Sequence, residues 1–141
     1  MTAPDGTAEL RVDGAADLGW LDEIHTAFAR LWGRSPGVAA LDRTRYETAV
    51  IEVATNIMRH SRTADDSPVH ATLLMRVLPG ELEAEFSDTG VPARVDLDPG
   101  PVDDLAMGGR GIALVRRAVD TVSLSYRDGR NVWRLVRRRV E

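Results

Sequence analysis

The sequence predicts an α/β two-layer sandwich, a mostly antiparallel sheet packed on three helices. Two kinds of periodicity predict it. Leu82, Ala84 and Phe86 alternate with Glu81, Glu83 and Glu85, the period of a strand with one dry and one wet face. Leu21, Ile24, Phe28 and Leu31, like Tyr46, Val50, Val53 and Ile57, recur at helical spacing. Runs of glycine, proline and aspartate separate these segments and supply the turns.

Taken in order, Glu9–Val12 reads as a short edge strand after a ragged, flexible start at 1–6. Asp17 is placed to cap the first helix, and Gly33 with Ser35-Pro36-Gly37 stops it. The second helix is expected from about Asp42 to Ser61. Val69–Val77 and Leu82–Phe86 form two strands about a Pro79-Gly80 turn. Residues 87–109 hold many glycines, prolines and aspartates and read as a long loop, a length that in compact domains usually serves function. A third helix is expected from Gly111 to Val119, with Ile112, Val115 and Val119 inward. Val122–Tyr126 and Val132–Arg138 close the chain as a hairpin through Asp128-Gly129. The first and last strands are expected to pair at one edge. No repeat or linker divides the chain, so 1–141 reads as one domain.

Composition narrows the chemistry. The 141 residues are 43% apolar, enough for a core without staples. Cysteine is absent, which excludes disulfides, thiolate metal sites and cysteine nucleophiles. Three histidines, His25, His60 and His70, lie at no zinc-ligand spacing. The start lacks signal-peptide features and no apolar run reaches ~20 residues, so a cytoplasmic protein without a membrane span is expected. Net charge is −4, with Arg134, Arg137, Arg138 and Arg139 crowded near the end. Because they alternate with Trp133, Leu135 and Val136, they read as a solvated strand face rather than a nucleic-acid contact.

Three islands carry candidate chemistry. On the second helix Glu52, Asn56 and His60 follow at four-residue steps, drifting ~40° each along the flank of the core face. A carboxylate and an amide one turn apart suit a magnesium–nucleotide site. The amide oxygen is a hard ligand, and the carboxylate can take a proton. Alone, an ordinary polar helix flank explains the trio better. The second island, Asp88-Thr89-Gly90-Val91-Pro92, follows a strand. Its carboxylate can accept from an exocyclic amine, and Gly90 permits close backbone approach, although Asp-x-Gly is also a common turn. The third, Gly108-Gly109-Arg110-Gly111-Ile112, leads into a helix whose N-terminal amides can cradle an anion. A flexible glycine turn is an equal explanation. It is neither a Walker A loop nor a Rossmann fingerprint.

In their order and spacing, the three islands resemble the GHKL (Bergerat) ATP-binding superfamily, from the second helix to the end of the chain. Within it, Gly109–Val115 and the Asn131-Val132-Trp133-Arg134-Leu135 strand look like the anti-sigma factor serine kinases. The resemblance implies ATP and Mg²⁺ as cofactors, Glu52 as general base and Asn56 as the magnesium ligand. It implies Asp88 as the reader of adenine, with Gly90, Val91 and Pro92 shaping the base pocket and His60 lining it. Gly108, Gly109, Arg110, Gly111 and Ile112 would bind phosphate under a lid at 93–107. Two departures stand out. The lid is poor in glycine, basic and hydroxyl residues before Gly108, and Asn131, itself expected among the nucleotide-binding residues, stands near where many relatives carry a threonine that reaches the nucleotide.

The implied function is a protein serine kinase and anti-sigma factor. Its expected partners are an anti-anti-sigma (STAS-domain) protein, a sigma factor and a second copy of itself. A binding module that holds ATP without transferring phosphate is the alternative. A detached histidine-kinase domain is disfavoured because no helix pair with a phospho-accepting histidine is present. The apolar surface of the first helix, with Trp20 and Trp32, is a candidate dimer contact, and those tryptophans are equally good core residues.

Overall fold

The structure is a computed structural model that describes residues 7–97 and 107–140, with 107–110 described by backbone alone. The segment expected to be flexible, 1–6, lies outside the described residues. Five strands and three helices follow in the order β1 (Ala8–Ala15), α1 (Leu18–Arg34), α2 (Ala40–His60), β2 (His70–Val77), β3 (Glu81–Asp88), α3 (Met107–Ala118), β4 (Thr121–Arg127) and β5 (Arg130–Arg138). The strands form one antiparallel sheet in the order β1-β2-β3-β5-β4. The helices lie against it, α2 in the middle between α1 and α3. This is the two-layer α/β sandwich that the periodicities predict.

Local chemistry explains most boundaries. The Asp17 carboxylate accepts from the Trp20 N–H at 3.1 Å, capping α1 as expected. Asp128 (φ 54°) and Gly129 (φ 77°) both take left-handed backbone between β4 and β5, the geometry of a tight hairpin whose twist matches its strands. One expectation fails. The first and last strands do not pair, because β5 enters the sheet between β3 and β4 and leaves β1 and β4 as the edges. A hairpin signal fixes which strands are neighbours in sequence, not where the hairpin joins the sheet.

Strand parity builds the core. Ala71, Leu73, Met75 and Val77 of β2 and Leu82, Ala84 and Phe86 of β3 are fully buried, facing α1 and α2. Trp20 (2% exposed) and Trp32 (8%) belong to the same core, so neither presents an apolar surface for a dimer. The Trp20 indole donates to the Val12 carbonyl and that of Trp32 to Glu47. Tyr46, also buried, donates to the Glu83 carbonyl at 2.6 Å, and burial, then the nearby Glu83 charge, push its phenol well above its usual pKa. No helix among the described residues is long and apolar enough to cross a membrane.

The same parity corrects the reading of the terminal arginines. Asn131, Trp133, Leu135 and Arg137 share the inward face of β5, while Arg134 and Arg138 face outward. Arg137 donates through Nε to Asp42 Oδ1 at 2.9 Å and through Nη1 to the Ala118 carbonyl at 2.8 Å. Asp42, in the first turn of α2 and 0% exposed, also accepts from the Val140 N–H at 2.9 Å. This ion pair joins the start of α2, the end of α3 and the end of β5. Removing one partner of a buried pair strands the other charge, so Asp42→Ala should lower unfolding free energy by about 3–5 kcal/mol in urea titration. Arg134→Ala removes only a long contact to Glu83 from a side chain 58% exposed, and should cost about 1 kcal/mol or less.

Candidate nucleotide site

The inward face of the sheet ends in two polar residues. Asp88 closes β3 on the same face as Leu82, Ala84 and Phe86, and Asn131 opens β5 on the face of Trp133 and Leu135. They are register partners across the β3–β5 ladder, and each is 1% exposed. Asp88 Oδ1 collects three donors: Ser61 Oγ at 2.7 Å, the Gly90 N–H at 2.8 Å and Asn131 Nδ2 at 3.1 Å. A buried carboxylate needs such compensation, because leaving its lone pairs unmet inside the protein is costly. Ser61 comes from the end of α2, where it terminates the helix, so three separate elements converge on one oxygen.

The Asn131 carboxamide is fully engaged. Its Nδ2 donates to the Val91 carbonyl at 2.8 Å and the Gly90 carbonyl at 3.3 Å as well as to Asp88. Its Oδ1 accepts from the Ala93 N–H at 2.7 Å; since that amide can only donate, its partner must be the carboxamide oxygen. The Val91 N–H reaches the Arg62 carbonyl, and Thr89 is bonded in both directions to His70. The Asp-x-Gly turn is therefore a rigid part of the molecule, with fixed backbone from 88 to 93. Gly90 has no room for a side chain. A Cβ there would collide with Ser61 Oγ, lie 2.9 Å from Asp88 Oδ1 and press on the Arg62 carbonyl at 3.2 Å.

A cleft of about 270 Å³ opens beside this turn. Asn56, His60, Asp88, Val91 and Pro92 line it, and Ile57 and Trp133 supply its apolar floor. Ser61, Arg62 and Arg94 also line it and are not among the residues singled out by motif. Ser61 directly follows His60 at the helix end, which is the only sequence signal that could have marked it. The two arginines look like ordinary loop charges in sequence. They place positive charge at the mouth, with Arg62 exposed and Arg94 on the segment that leaves the turn.

Glu52 and Gly111 lie beside each other rather than in this cleft. A Cβ on Gly111 would stand 2.9 Å from Glu52 Oε2, so only glycine lets α3 pass this close to the carboxylate. Glu52 and Asn56 are both half-buried one turn apart on α2, which links the α3 contact to the cleft. The helix start differs from the expectation. α3 begins at Met107, four residues before Gly111, so Gly108, Gly109 and Arg110 lie in its first turn. The amides free of intrahelical partners belong to that turn and not to Gly111 or Ile112. Ile112 is 2% exposed and part of the core. The Arg110 side chain, and 98–106 of the expected lid, lie outside the described residues. The described start of the lid, 93–97, is tied by Asn131 at Ala93 and by Arg116 Nη1, which donates to the Leu97 carbonyl at 2.9 Å.

No group of three or more acidic or histidine side chains that could hold a metal occurs among the described residues. The amide of Asn56 is a donor suited to a magnesium ion whose other ligands are phosphate oxygens and water. The site thus offers a buried carboxylate beside a sterically required glycine, an apolar floor, an amide oxygen and basic residues at the mouth. These suit an aromatic base carrying an anionic tail.

Comparison with known proteins agrees. The family model described as a histidine kinase-like ATPase domain matches residues 15–137. Among solved structures, the chain is similar to the RsbU and RsbW domains of Rv1364c from Mycobacterium tuberculosis, with TM-score 0.65 and 15% identity over 95% of this chain and 33% of that one. It is also similar to the histidine kinase domain of the blue-light activated histidine kinase from Erythrobacter litoralis EL346, with TM-score 0.54 and 20% identity over 84% of this chain and 58% of that one. The chain thus spans a third of the first of these proteins and little more than half of the second. No curated protein matches it in sequence. Gly90→Ala should shift Ser61 and the Asp88 carboxylate by overpacking, lowering stability by about 1–3 kcal/mol in thermal unfolding.

Proposed function

The chain belongs to the histidine kinase-like ATPase family, and from that premise we propose that it binds Mg-ATP and transfers phosphate to a serine of a protein partner. The observation that carries the proposal is the buried Asp88 carboxylate, held by Ser61, Gly90 and Asn131 at the wall of an apolar-floored cleft. With Oδ1 occupied by protein donors, Oδ2 is the oxygen assigned to the exocyclic amine of adenine. At about 270 Å³ the cleft lies just below the usual range of ligand pockets, roughly 300–1,000 Å³, a size for the base and sugar rather than the whole nucleotide. Asn56 and the first turn of α3, where helix amides and dipole favour anions, would hold the metal and the phosphates.

Bound Mg-ATP supplies the phosphoryl group and the metal charge that such transfer needs. The chain's residues do the rest. Asn56 offers its amide oxygen to the metal, His60 lines the pocket, and Pro92 and Val91 close its edge beside Gly90. Gly108, Gly109 and Arg110, in the first turn of α3, form the phosphate side, while Gly111 lets α3 pass close to Glu52 and Ile112 anchors it in the core. Glu52 accepts the proton of the attacking serine hydroxyl, a role for a carboxylate near but outside the base cleft.

The structural likeness to a protein containing an RsbW domain supports placing the chain among anti-sigma factors that are also serine kinases. On that reading the substrate is an anti-anti-sigma protein of the STAS type. The chain alternates between it and a sigma factor, acting as a homodimeric single domain in the cytoplasm. Incubating the protein with labelled ATP and purified STAS-domain candidates tests this. Glu52→Ala should keep Mg-ATP binding and reduce phosphate transfer by about 10²-fold or more. Wild-type transfer by that variant would remove Glu52 from the role. Tight ATP binding with no label on any partner would favour a binding module that uses nucleotide only to set partner affinity.

A further inference from the structure

We propose that Asn131 is a positioning residue for base selectivity, and that it acts without touching the nucleotide. The inference rests on the nucleotide reading of the Asp88 cleft and goes beyond it, since a residue at this place would otherwise be taken for a ligand contact. The geometry argues against contact. Asn131 is 1% exposed, it lies outside the lining of the cleft, and both polar atoms of its carboxamide are used by protein groups.

Its four partners show what it does instead. Nδ2 holds Asp88 Oδ1 and the carbonyls of Gly90 and Val91, and Oδ1 holds the Ala93 N–H. One planar group thereby fixes the carboxylate that faces the base, the backbone beside the base and the first residue of the lid segment. A planar amide presents an acceptor on one side, which meets the Ala93 N–H, and two hydrogens on the other, which the three acceptors share, the Gly90 carbonyl at 3.3 Å being the longest contact. Threonine, with a single hydroxyl, cannot satisfy both sides at once. The strand ladder fixes the residue itself, since Asn131 pairs with Asp88 on one side and Tyr126 on the other.

Selectivity follows from that rigidity. Adenine offers a donor amine to a carboxylate, whereas guanine places a carbonyl oxygen there, so that one acceptor faces another with no hydrogen between them. A carboxylate discriminates between them only if it cannot turn away. Ser61 and the Gly90 amide hold Asp88 from the helix side and from the turn. Asn131 is the hold from the neighbouring strand and also keeps the turn itself in place. Freeing it should cost base preference rather than phosphate affinity.

The test compares Mg-ATP and Mg-GTP binding by calorimetry, well below thermal unfolding, for wild type, Asp88→Asn, Asn131→Leu and Asn131→Thr. Wild type should prefer ATP and Asp88→Asn should lose that preference, which establishes the base site independently of Asn131. Asn131→Leu should reduce the ATP-to-GTP preference by about tenfold or more, with the loss concentrated in ATP affinity. If the leucine variant does not fold, Asn131→Thr, which suits a strand, carries the same expectation in weaker form. A folded Asn131 variant that keeps the wild-type ratio, or weakens both nucleotides equally, overturns the proposal while leaving the nucleotide reading intact. Wild-type protein that binds neither nucleotide overturns both.

Discussion

The pairing of Asp88 with Asn131 across the buried face of the sheet is the constraint on which the rest of the site depends. Two polar side chains at 1% exposure would be a liability inside an apolar core. Here each meets its partners, and meeting them draws in the end of α2 through Ser61 and the following loop through Gly90, Val91 and Ala93. A half-satisfied network of this kind would be worse than an apolar one. A satisfied one defines a single geometry.

A second polar pair, Asp42 of α2 with Arg137 of β5, lies at the opposite end of β5, and the contrast explains how the molecule divides its tasks. Asp42 and Arg137 are consumed by one another, the Ala118 carbonyl and the Val140 amide. That network acts as a clasp joining α2, α3 and β5. At the other end the network borders a cleft with an apolar floor and arginines at its mouth. The two ends share the same parity of β5, where Asn131 and Arg137 both point inward with Trp133 and Leu135 between them. One end fastens the layers, and the other shapes a wall.

How much of this was legible in the sequence differs by element. The alternation of Glu81–Asp88 and the helical spacing of Tyr46–Ile57 were read correctly because both depend on local period. The α1 cap was legible for the same reason, since Asp17 acts three residues away on Trp20. The start of α3 was misplaced because Gly108, Gly109 and Gly111 look like loop residues, and their poor helix propensity is outweighed where the helix packs on α2. Gly111 is there for a close approach to Glu52, not for a turn. Arg137 read as solvated because the terminal arginines alternate with apolar residues, and its partner Asp42 lies 95 residues away. In the candidate site, Asp88, Gly90 and Asn56 stood out by motif, whereas Ser61 is marked only by following His60 at the helix end, and Arg62 and Arg94 carry no local signal and are collected only by folding.

By itself, then, the sequence determined the layers, the helix and strand faces and the three islands of polar residues, because each depends on neighbours within a turn or a pleat. The tertiary structure decided that β5 inserts between β3 and β4, and with that insertion that Asn131 lies opposite Asp88. It also decided that Asn131 grips the turn rather than facing the cleft. Strand order is set by the burial of whole faces against α2, a long-range quantity that no local pattern encodes. The candidate site exists because that choice brings two distant polar residues to the same point of the sheet.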